Sequence, residues 1–251
     1  MINVDQVTKK FGNSIALDNI SLRVEAGQSL AIIGPTAAGK TVLLKCLAGL
    51  YATDGGSMQI DGQELPIVSR RDDVLNNRIG MLFQQNALFD SLTVWENISF
   101  RQLQQGLHRD QAKADAEALL LRVGLSASTA DLSPADLSGG MQKRVGFARA
   151  IATKADILLL DNPTAGLDPI LSARIEKMIQ TMTRETDAAV ISVTSSMTHL
   201  TQYYDAIAVM HDAKLRWYGS AKEAETSDNP YLRQLMEGGR DGPIQARLSA
   251  A

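Results

Sequence analysis

One stretch of the sequence carries the residue types that bind a polyphosphate. It reads Gly34-Pro35-Thr36-Ala37-Ala38-Gly39-Lys40-Thr41. This phosphate loop follows the apolar run 29–33 and precedes a helical pattern, so its backbone N–H groups and the helix dipole favour an anion. Lys40 adds a cation for the outer phosphates, and the Thr41 hydroxyl is placed to ligate the accompanying Mg²⁺. An ordinary turn with an incidental lysine does not account for this agreement, and we predict nucleotide binding.

A second element suited to an anion opens another helical pattern. It reads Leu137-Ser138-Gly139-Gly140-Met141 and is called the signature segment below. A serine and two glycines at a helix start offer a hydroxyl, unobstructed amides and a helix dipole. Alone, this pattern indicates a helix cap and nothing more. A second such element beside the phosphate loop favours a second phosphate contact.

A carboxylate follows the apolar run 157–160. The run is typical of a buried parallel strand, which would carry Asp161 to the carboxyl edge of a sheet. In nucleotidases with a loop of this kind, Mg²⁺ is held by the loop hydroxyl and by such an aspartate. The alternative role for Asp161 is to cap the turn at Pro163. Together with the upstream loop, the pattern predicts a metal ligand.

Strand and helix patterns alternate along the 251 residues, of which 45% are hydrophobic. They predict strands within 2–33 and near 57–60, 78–83, 157–161, 189–194 and 205–210, with 78–83 a buried strand. Residues 93–122 look helical, with a stop at Gly124, and form a helical insertion into an α/β domain. After Gly219 the pattern predicts one short helix and an extended tail.

Composition limits the possible partners. The 25 basic and 28 acidic residues give a net charge of −3, which provides no electrostatic case for a nucleic-acid surface. The start lacks a signal-peptide pattern, and no run of about 18 apolar residues occurs. We therefore expect a soluble cytosolic chain whose membrane role, if it has one, depends on a partner. The single cysteine, Cys46, is expected to be buried.

Taken together, the motifs resemble the ATP-binding cassette subunits of ABC transporters. The phosphate loop looks like Walker A, Gln84 like the Q-loop, the strand into Asp161 like Walker B, and 165–168 like the D-loop. Within that family the chain is most similar to the Mla/Mce-type lipid cassettes. This narrower resemblance depends on Met141 of the signature segment, on the run 81–89 and on the tail 232–244.

The resemblance implies a P-loop NTPase core with an antiparallel β subdomain and an inserted α-helical subdomain. Residues 1–220 would form the ATP-binding domain, with the helical part at about 86–150, and 221–251 a C-terminal helix and tail. It implies contacts to ATP from Phe11, Gly34, Pro35, Thr36, Ala37, Ala38, Gly39, Lys40, Thr41, Val42, Ser138, Gly139, Gly140 and Asp168. Mg²⁺ would be held by Thr41, Gln84 and Asp161, and the catalytic positions would be Asn162, Gln84 and Ser195. For Phe11, stacking on adenine and ordinary packing remain equally open.

The resemblance also implies partners. ATP would lie between the phosphate loop of one subunit and the signature segment of a second copy, in a homodimer. A separate membrane permease near Gln84 would follow the motion and move phospholipid, with a STAS-domain protein and an Mce-domain lipid-binding protein as possible further partners. The chain would then lie on the cytoplasmic side of the inner membrane, attached through the permease.

Three positions depart from the family pattern. Asn162 replaces the glutamate that polarises the attacking water, and Ser195 replaces a histidine near the γ-phosphate. Ala37 stands where glycine is usual, which costs about 1 kcal/mol if the position requires a positive φ. Two hypotheses follow: a working but slow transporter ATPase, or an ATP-binding clamp without useful hydrolysis. A cassette for a different cargo is a further alternative, whereas a tandem-cassette translation factor fits poorly because only one cassette is present.

Overall fold

Two sheets form the framework of the chain, whose computed structural model describes residues 1–65, 78–85, 87–197 and 199–245. The strands are β1 (Ile2–Phe11), β2 (Ser14–Val24), β3 (Ser29–Ile33), β4 (Gly55–Ile60), β5 (Gln63–Glu64), β6 (Ile79–Leu82), β7 (Ile157–Asp161), β8 (Ala189–Val193), β9 (Ala206–His211) and β10 (Lys214–Ser220). An antiparallel sheet has the order β2-β1-β4-β5, and a mixed sheet has the order β10-β9-β3-β8-β7-β6. In the mixed sheet β9, β3, β8, β7 and β6 are parallel, and β10 pairs antiparallel with β9.

Helices flank the mixed sheet and form a separate group in the middle of the chain. They are α1 (Lys40–Leu47), α2 (Val94–Gln104), α3 (Arg109–Arg122), α4 (Gly139–Ala152), α5 (Pro169–Thr186), α6 (Leu200–Tyr203), α7 (Ala221–Thr226) and α8 (Pro230–Glu237). Helices α2, α3 and α4 pack against one another. This arrangement confirms the predicted α/β class with an antiparallel sheet and a helical region.

The alternation of side chains along β3 explains the two cores. Leu30 and Ile32 point to one face, where they pack with α1 and the antiparallel sheet. Ala31 and Ile33 point to the other face and join the core formed with α4 and α5. Because both faces are covered, a parallel strand of this kind is apolar on both faces, as residues 30–33 of β3 are. Cys46 is buried in the first core, as predicted.

The helical region differs from the sequence prediction. The helical pattern at 93–122 forms two helices, α2 and α3, because Gly106 after α2 has a φ of +89° and redirects the chain. The predicted stop at Gly124 is confirmed, since this glycine has a φ of +76°. The prediction of one helix after Gly219 is also wrong, because two short helices, α7 and α8, precede the tail.

The strand predicted at 78–83 is shorter and less buried than expected. It forms β6, the edge strand of the mixed sheet, so Ile79 and Met81 are only half-buried. In the described ranges, no helix has both the length and the apolarity needed to cross a membrane. The domain boundaries at residue 220 and at 86–150 stay predictions. Asn86 and residues 246–251 lie outside the described residues.

Candidate functional site

The mixed sheet brings the ends of four parallel strands to one edge. The strand β3 continues into the phosphate loop and β7 ends at Asp161, while Ser195 and Gln84 follow β8 and β6 by two residues. The register aligns these ends, because Val193 of β8 lies opposite Ile32 of β3 and opposite Asp161 of β7. The structure therefore places the phosphate loop and three of the predicted polar positions along one edge.

Two glycines fix the path of the phosphate loop. Gly34 and Gly39 have φ values of +146° and +97°. A Cβ on Gly34 would lie 2.0 Å from the carbonyl oxygen of Met210, and a Cβ on Gly39 would lie 2.2 Å from that of Ala16. Both the backbone conformation and the space exclude a side chain. The loop is therefore held tightly against the backbones of β2 and β9.

The start of α1 is left open to a ligand. Its N-cap residue is Gly39, which provides no side-chain cap, and the first turn contains no acidic residue. The first N–H groups of a helix have no partner within the helix. By contrast, Ser138 caps α4 and Asp168 caps α5. Uncapped amides at the positive end of the α1 dipole suit the phosphates that the loop sequence predicts.

Lys40 lies folded over its own loop. Its Nζ donates hydrogen bonds to the carbonyl oxygens of Gly34 at 2.8 Å and of Pro35 at 2.7 Å. Burial lowers the pKa of Lys40, and the nearby Asp161 carboxylate opposes that effect. An ammonium group has three donors. Lys40 is thus held at the loop with a donor left for an anionic ligand.

The carboxylate of Asp161 is incompletely paired. Asp161 is 1% exposed, and burial raises the pKa of its carboxyl group. The hydrogen bond that the carboxylate accepts from Thr41 opposes this effect. Its Oδ1 is buried without a hydrogen-bond partner among the described atoms. A free carboxylate oxygen beside a threonine hydroxyl fits Mg²⁺, which binds through one or two protein oxygens and completes its shell with phosphates and water. The described residues contain no cluster of three or more His, Cys, Asp or Glu that would bind a metal alone.

Ala37 has the positive φ that would make alanine unfavourable at this position. Its φ is +64°, in the left-handed region. Residues other than glycine and asparagine are destabilised there by about 1 kcal/mol or more. The residue is exposed, so no packing contact compensates. The phosphate loop therefore carries local strain at Ala37.

Asn162 is held by backbone contacts at the end of β7. Its φ is +52°, which asparagine tolerates better than most residues. Its N–H donates to the carbonyl oxygen of Val193 at 2.8 Å, and its own carbonyl oxygen accepts a hydrogen bond from Lys143 Nζ at 3.2 Å. Its side-chain Oδ1 is buried without a partner among the described atoms. Asn162 therefore offers an acceptor that is free to orient a small ligand such as water.

Ser195 lies in a cavity of about 400 Å³ next to the D-loop (165–168). The same cavity is lined by His199, whose residue is in the left-handed conformation and immediately precedes α6. Gln84 is exposed in the turn after β6. The catalytic roles of Ser195 and Gln84 stay predictions.

The same cavity contains a carboxyl group that the sequence analysis missed. Glu176 of α5 lines it and is 5% exposed. Burial raises the pKa of Glu176 to about 7. A signal was present in the sequence, because Glu176 lies between Ile175 and Ile179 on the face of α5 that the helical period buries. A charged residue on that buried face indicates either a functional role or a pH-dependent stability.

The signature segment lies apart from the phosphate loop, next to the D-loop. Ser138 Oγ accepts a hydrogen bond from the N–H of Met141 at 3.3 Å, and both Ser138 and Gly139 are exposed. A Cβ on Gly140 would lie 3.3 Å from Leu167 Cδ2, whereas one on Gly139 would meet nothing within 4 Å. The segment thus combines a capped helix start with an open, glycine-lined surface. Its predicted contact with ATP would have to be made to nucleotide held elsewhere.

Phe11 packs against a neighbouring ring. It is 45% exposed and contacts Tyr51 edge-to-face, with ring centroids 5.2 Å apart. The ammonium of Lys9 lies 5.2 Å from the centroid of the Phe11 ring. These contacts support the packing interpretation, and the exposed part of the ring leaves the adenine contact a prediction.

The C-terminal tail returns to the phosphate loop. Ile244 exchanges two backbone hydrogen bonds with the side chain of Gln234 on α8, each of 2.8 Å. A cavity of about 720 Å³ separates the tail from loop residues Pro35 and Ala38 and is also lined by Arg240. The tail lacks regular structure, as predicted, but it folds back onto the body of the chain.

Comparison with protein families identifies the chain. The model of a family described as ABC transporter matches residues 17–165, which is more than half of the sequence. The chain belongs to the ABC transporter family. The predicted family resemblance is therefore confirmed, and the matched range runs from β2 through the phosphate loop and the signature segment to the start of the D-loop.

Named relatives of this ABC cassette cover almost the whole chain. Protein TRIGALACTOSYLDIACYLGLYCEROL 3, chloroplastic, of Arabidopsis thaliana is 34% identical over 262 residues, which cover 98% of this chain and 76% of that protein. The intermembrane phospholipid transport system ATP-binding protein MlaF of Escherichia coli (strain K12) is 33% identical over 256 residues, covering 100% and 93%. The similarity to Mla-type cassettes is thus confirmed.

A solved ABC cassette has the same fold. The dimeric structure of the cassette MJ0796 in a post-hydrolysis state, bound to ADP and Pi, superposes with a TM-score of 0.81 at 28% identity. The match covers 88% of this chain and 99% of MJ0796. The fold predicted from the sequence, that of an ABC nucleotide-binding cassette, is confirmed.

Proposed function

We propose that the chain is the ATP-binding subunit of an ABC transporter that couples ATP binding and hydrolysis to phospholipid-type lipid transport through a separate permease. The observation that carries this proposal is the group at the edge of the mixed sheet. Lys40 with a spare donor, the uncapped start of α1 and the free Asp161 Oδ1 lie together there. They match the three needs of a Mg²⁺-bound triphosphate, namely a cation, amide donors and a carboxylate ligand.

Each group has a separate task in binding. The amides at the start of α1 bind phosphate oxygens, and Lys40 moves part of its hydrogen bonding from its loop carbonyls to the outer phosphates. Thr41 and Asp161 would hold Mg²⁺, with Gln84 as a further ligand from the adjacent strand end. When bound, the metal neutralises phosphate charge. Because Asp161 is buried and partly unpaired, binding also relieves the cost of its buried charge.

A homodimer would complete the site. The phosphate loop and the signature segment of one chain are separate, and each is an incomplete binding element with free donors. Two copies arranged head to tail would bring the exposed Ser138 and Gly139 of one chain to the nucleotide held by the other. The dimeric MJ0796 structure with ADP and Pi supports this arrangement for a related cassette. ATP would then join the copies, and hydrolysis would release them.

Hydrolysis depends on Asn162 in this chain. An amide oxygen can orient the attacking water but cannot accept its proton, and loss of a general base slows a step by about 10²–10⁴. Ser195 and Gln84 would supply further hydrogen bonds at the γ-phosphate. We therefore propose a slow ATPase. The alternative, a clamp that binds ATP and dimerises without useful turnover, is favoured by the same two replacements, Asn162 and Ser195.

The lipid cargo and the partners are proposed from the relatives. MlaF is named for intermembrane phospholipid transport, and the Arabidopsis relative is named for a diacylglycerol lipid. By this similarity the chain would bind a permease from the cytoplasmic side of the inner membrane. A STAS-domain protein and an Mce-domain lipid-binding protein are further proposed partners.

Steady-state phosphate release tests the ATPase proposal. We expect a slow, Mg²⁺-dependent rate that falls to background in Lys40→Ala, because that variant removes the cation for the outer phosphates. A rate equal to that of Lys40→Ala, together with retained ATP binding, would establish the clamp instead. For the cargo, the chain is reconstituted with its permease in liposomes of defined phospholipid. ATP-dependent phospholipid transfer that Lys40→Ala abolishes is expected, and turnover without transfer would contradict the lipid assignment.

A further inference from the structure

A buried lysine from the signature helix reaches the end of β7. Lys143 lies on α4, two residues beyond the signature segment, and is 7% exposed. Its Nζ donates a hydrogen bond to the carbonyl oxygen of Asn162 at 3.2 Å. An isolated buried ammonium is costly unless it is paired. The buried position of the Lys143 side chain therefore depends on this specific contact and not on hydration.

Three incompletely satisfied groups meet at this point. In the described part of the chain, that one carbonyl is the hydrogen-bond acceptor recorded for Lys143, although an ammonium has three donors. The Oδ1 atoms of Asn162 and Asp161 are both buried without a partner there. Burial lowers the pKa of Lys143, and the nearby Asp161 carboxylate opposes that effect. Such a set of unmatched donors and acceptors is suited to ordering the water and phosphate of a hydrolytic site.

The hydrogen bond from Lys143 helps to fix the position of the Asn162 peptide. Asn162 is fixed on one side by the hydrogen bond of its N–H to Val193, and on the other by Lys143. The same carbonyl also accepts a hydrogen bond from the N–H of Ala165 at 3.2 Å, so Lys143 adds a side-chain contact from α4 to a backbone one. Fixing the carbonyl fixes the direction of the side chain from the same residue. The side-chain oxygen then keeps one orientation at the edge of the sheet.

We propose that Lys143 is a positioning residue for ATP hydrolysis, which holds the Asn162 carbonyl and thereby aims the Asn162 side-chain oxygen at the attacking water. This inference depends on the proposed ATPase function. It also connects the signature helix α4 to the reacting position of the same chain, so that movement of α4 would alter the orientation of Asn162. Lys143 itself does not contact the reacting atoms in this role.

Kinetics of Lys143 variants test the proposal. Lys143→Met keeps the approximate length of the side chain and removes its charge and its donors. We expect kcat to fall about tenfold or more, because small misplacements of a reacting group have effects of that size. The KM for ATP should change less than about twofold. Lys143→Arg is expected to stay within about threefold of wild type. Lys154→Met, at an exposed lysine just after α4, is the matched control and should leave kcat unchanged.

A double-mutant cycle separates positioning from simple structural support. Asn162→Gly tolerates the positive φ and retains the carbonyl that Lys143 contacts, but it lacks the side chain. If Lys143 acts through that side chain, adding Lys143→Met to Asn162→Gly changes kcat less than about twofold. An equal loss in both backgrounds overturns the proposal. If Lys143→Met does not fold, as judged by its melting transition, the cycle is run with Lys143→Gln, which is too short to reach the Asn162 carbonyl and whose loss of kcat must likewise vanish beside Asn162→Gly.

The outcomes also distinguish this proposal from the ATPase function. A wild-type rate no higher than that of Lys40→Ala overturns both. A Lys40-dependent wild-type rate with a Lys143→Met kcat within twofold of wild type overturns the positioning role alone. A parallel increase in KM and decrease in melting temperature, without the loss of kcat, would likewise assign Lys143 to stability and contradict the proposal.

Discussion

Neutralising Glu176 should stabilise the chain in a strongly pH-dependent way. The side chain is buried in the wall of the D-loop cavity, and no ion pair or hydrogen bond of its carboxyl group is recorded among the described residues. The phenolic hydroxyl of Tyr204, which donates to Ser192 Oγ at 3.1 Å, is near enough to interact electrostatically with it. His199 is the other titratable group that lines this cavity. Burial is thus the dominant influence on Glu176.

The size of the effect follows from the pKa. Burial raises the pKa of Glu176 from 4.5 to about 7. Each tenfold change in an acid constant corresponds to about 1.4 kcal/mol, so ionising the folded chain costs about 3 kcal/mol more than ionising the unfolded one. Between these two pKa values the folded state binds more protons than the unfolded state. The stability therefore falls as pH rises from about 4.5 to about 7, and it is constant outside that window.

Urea unfolding of wild type and Glu176→Gln at pH 5.0 and 8.0 measures this effect. We expect the variant to be more stable at pH 8.0, with an advantage that exceeds its advantage at pH 5.0 by about 2–3 kcal/mol. Other titrating groups cancel because both chains contain them. Glu185→Gln, at an exposed position on the same helix, is the control and should change the free energy of unfolding equally at both pH values. An equal difference for Glu176→Gln at the two pH values would refute the argument.

Two further substitutions test the departures from the family pattern. Ala37→Gly should raise the free energy of unfolding, measured in urea, by about 0.5–1 kcal/mol, because glycine tolerates the φ of +64°. The control is Ala38→Gly, at a buried neighbour without a positive φ. This variant should be destabilised instead. Asn162→Glu should raise the rate of phosphate release by about tenfold or more, because it restores a general base. Absence of any gain would place the limitation at Ser195 or Ala37.

Local patterns predict the conformation and the position of the phosphate loop. The run 30–33 is apolar because β3 is covered on both faces, and the glycine spacing that follows reflects the approach of the Met210 and Ala16 carbonyls. Asp161 could be assigned to the same edge because parallel strands end together. In each case the sequence pattern and the structural cause lie within a few residues of each other.

The remaining features depend on contacts between distant segments. Lys143 and Asn162 are 19 residues apart and meet only because α4 packs across the end of β7. The helical period predicts that Glu176 is buried, but only the packing of α5 shows that it lines the D-loop cavity. The edge-to-face contact of Phe11 with Tyr51 likewise joins β1 to the segment after α1. No spacing rule encodes such pairs, so the sequence predicts the phosphate loop but not these contacts between distant segments.

Asn162 is best understood as a compromise between backbone conformation and chemistry. The residue occupies a left-handed φ of +52°, where asparagine is one of the few side chains with little penalty. A glutamate at that position would contribute a base but would strain the peptide that Lys143 and Val193 hold in place. The free Oδ1 of Asn162 keeps the ability to orient water without adding a second buried negative charge next to Asp161. The proposed slow turnover follows from this choice, because an uncharged acceptor at Asn162 would orient the attacking water without accepting its proton.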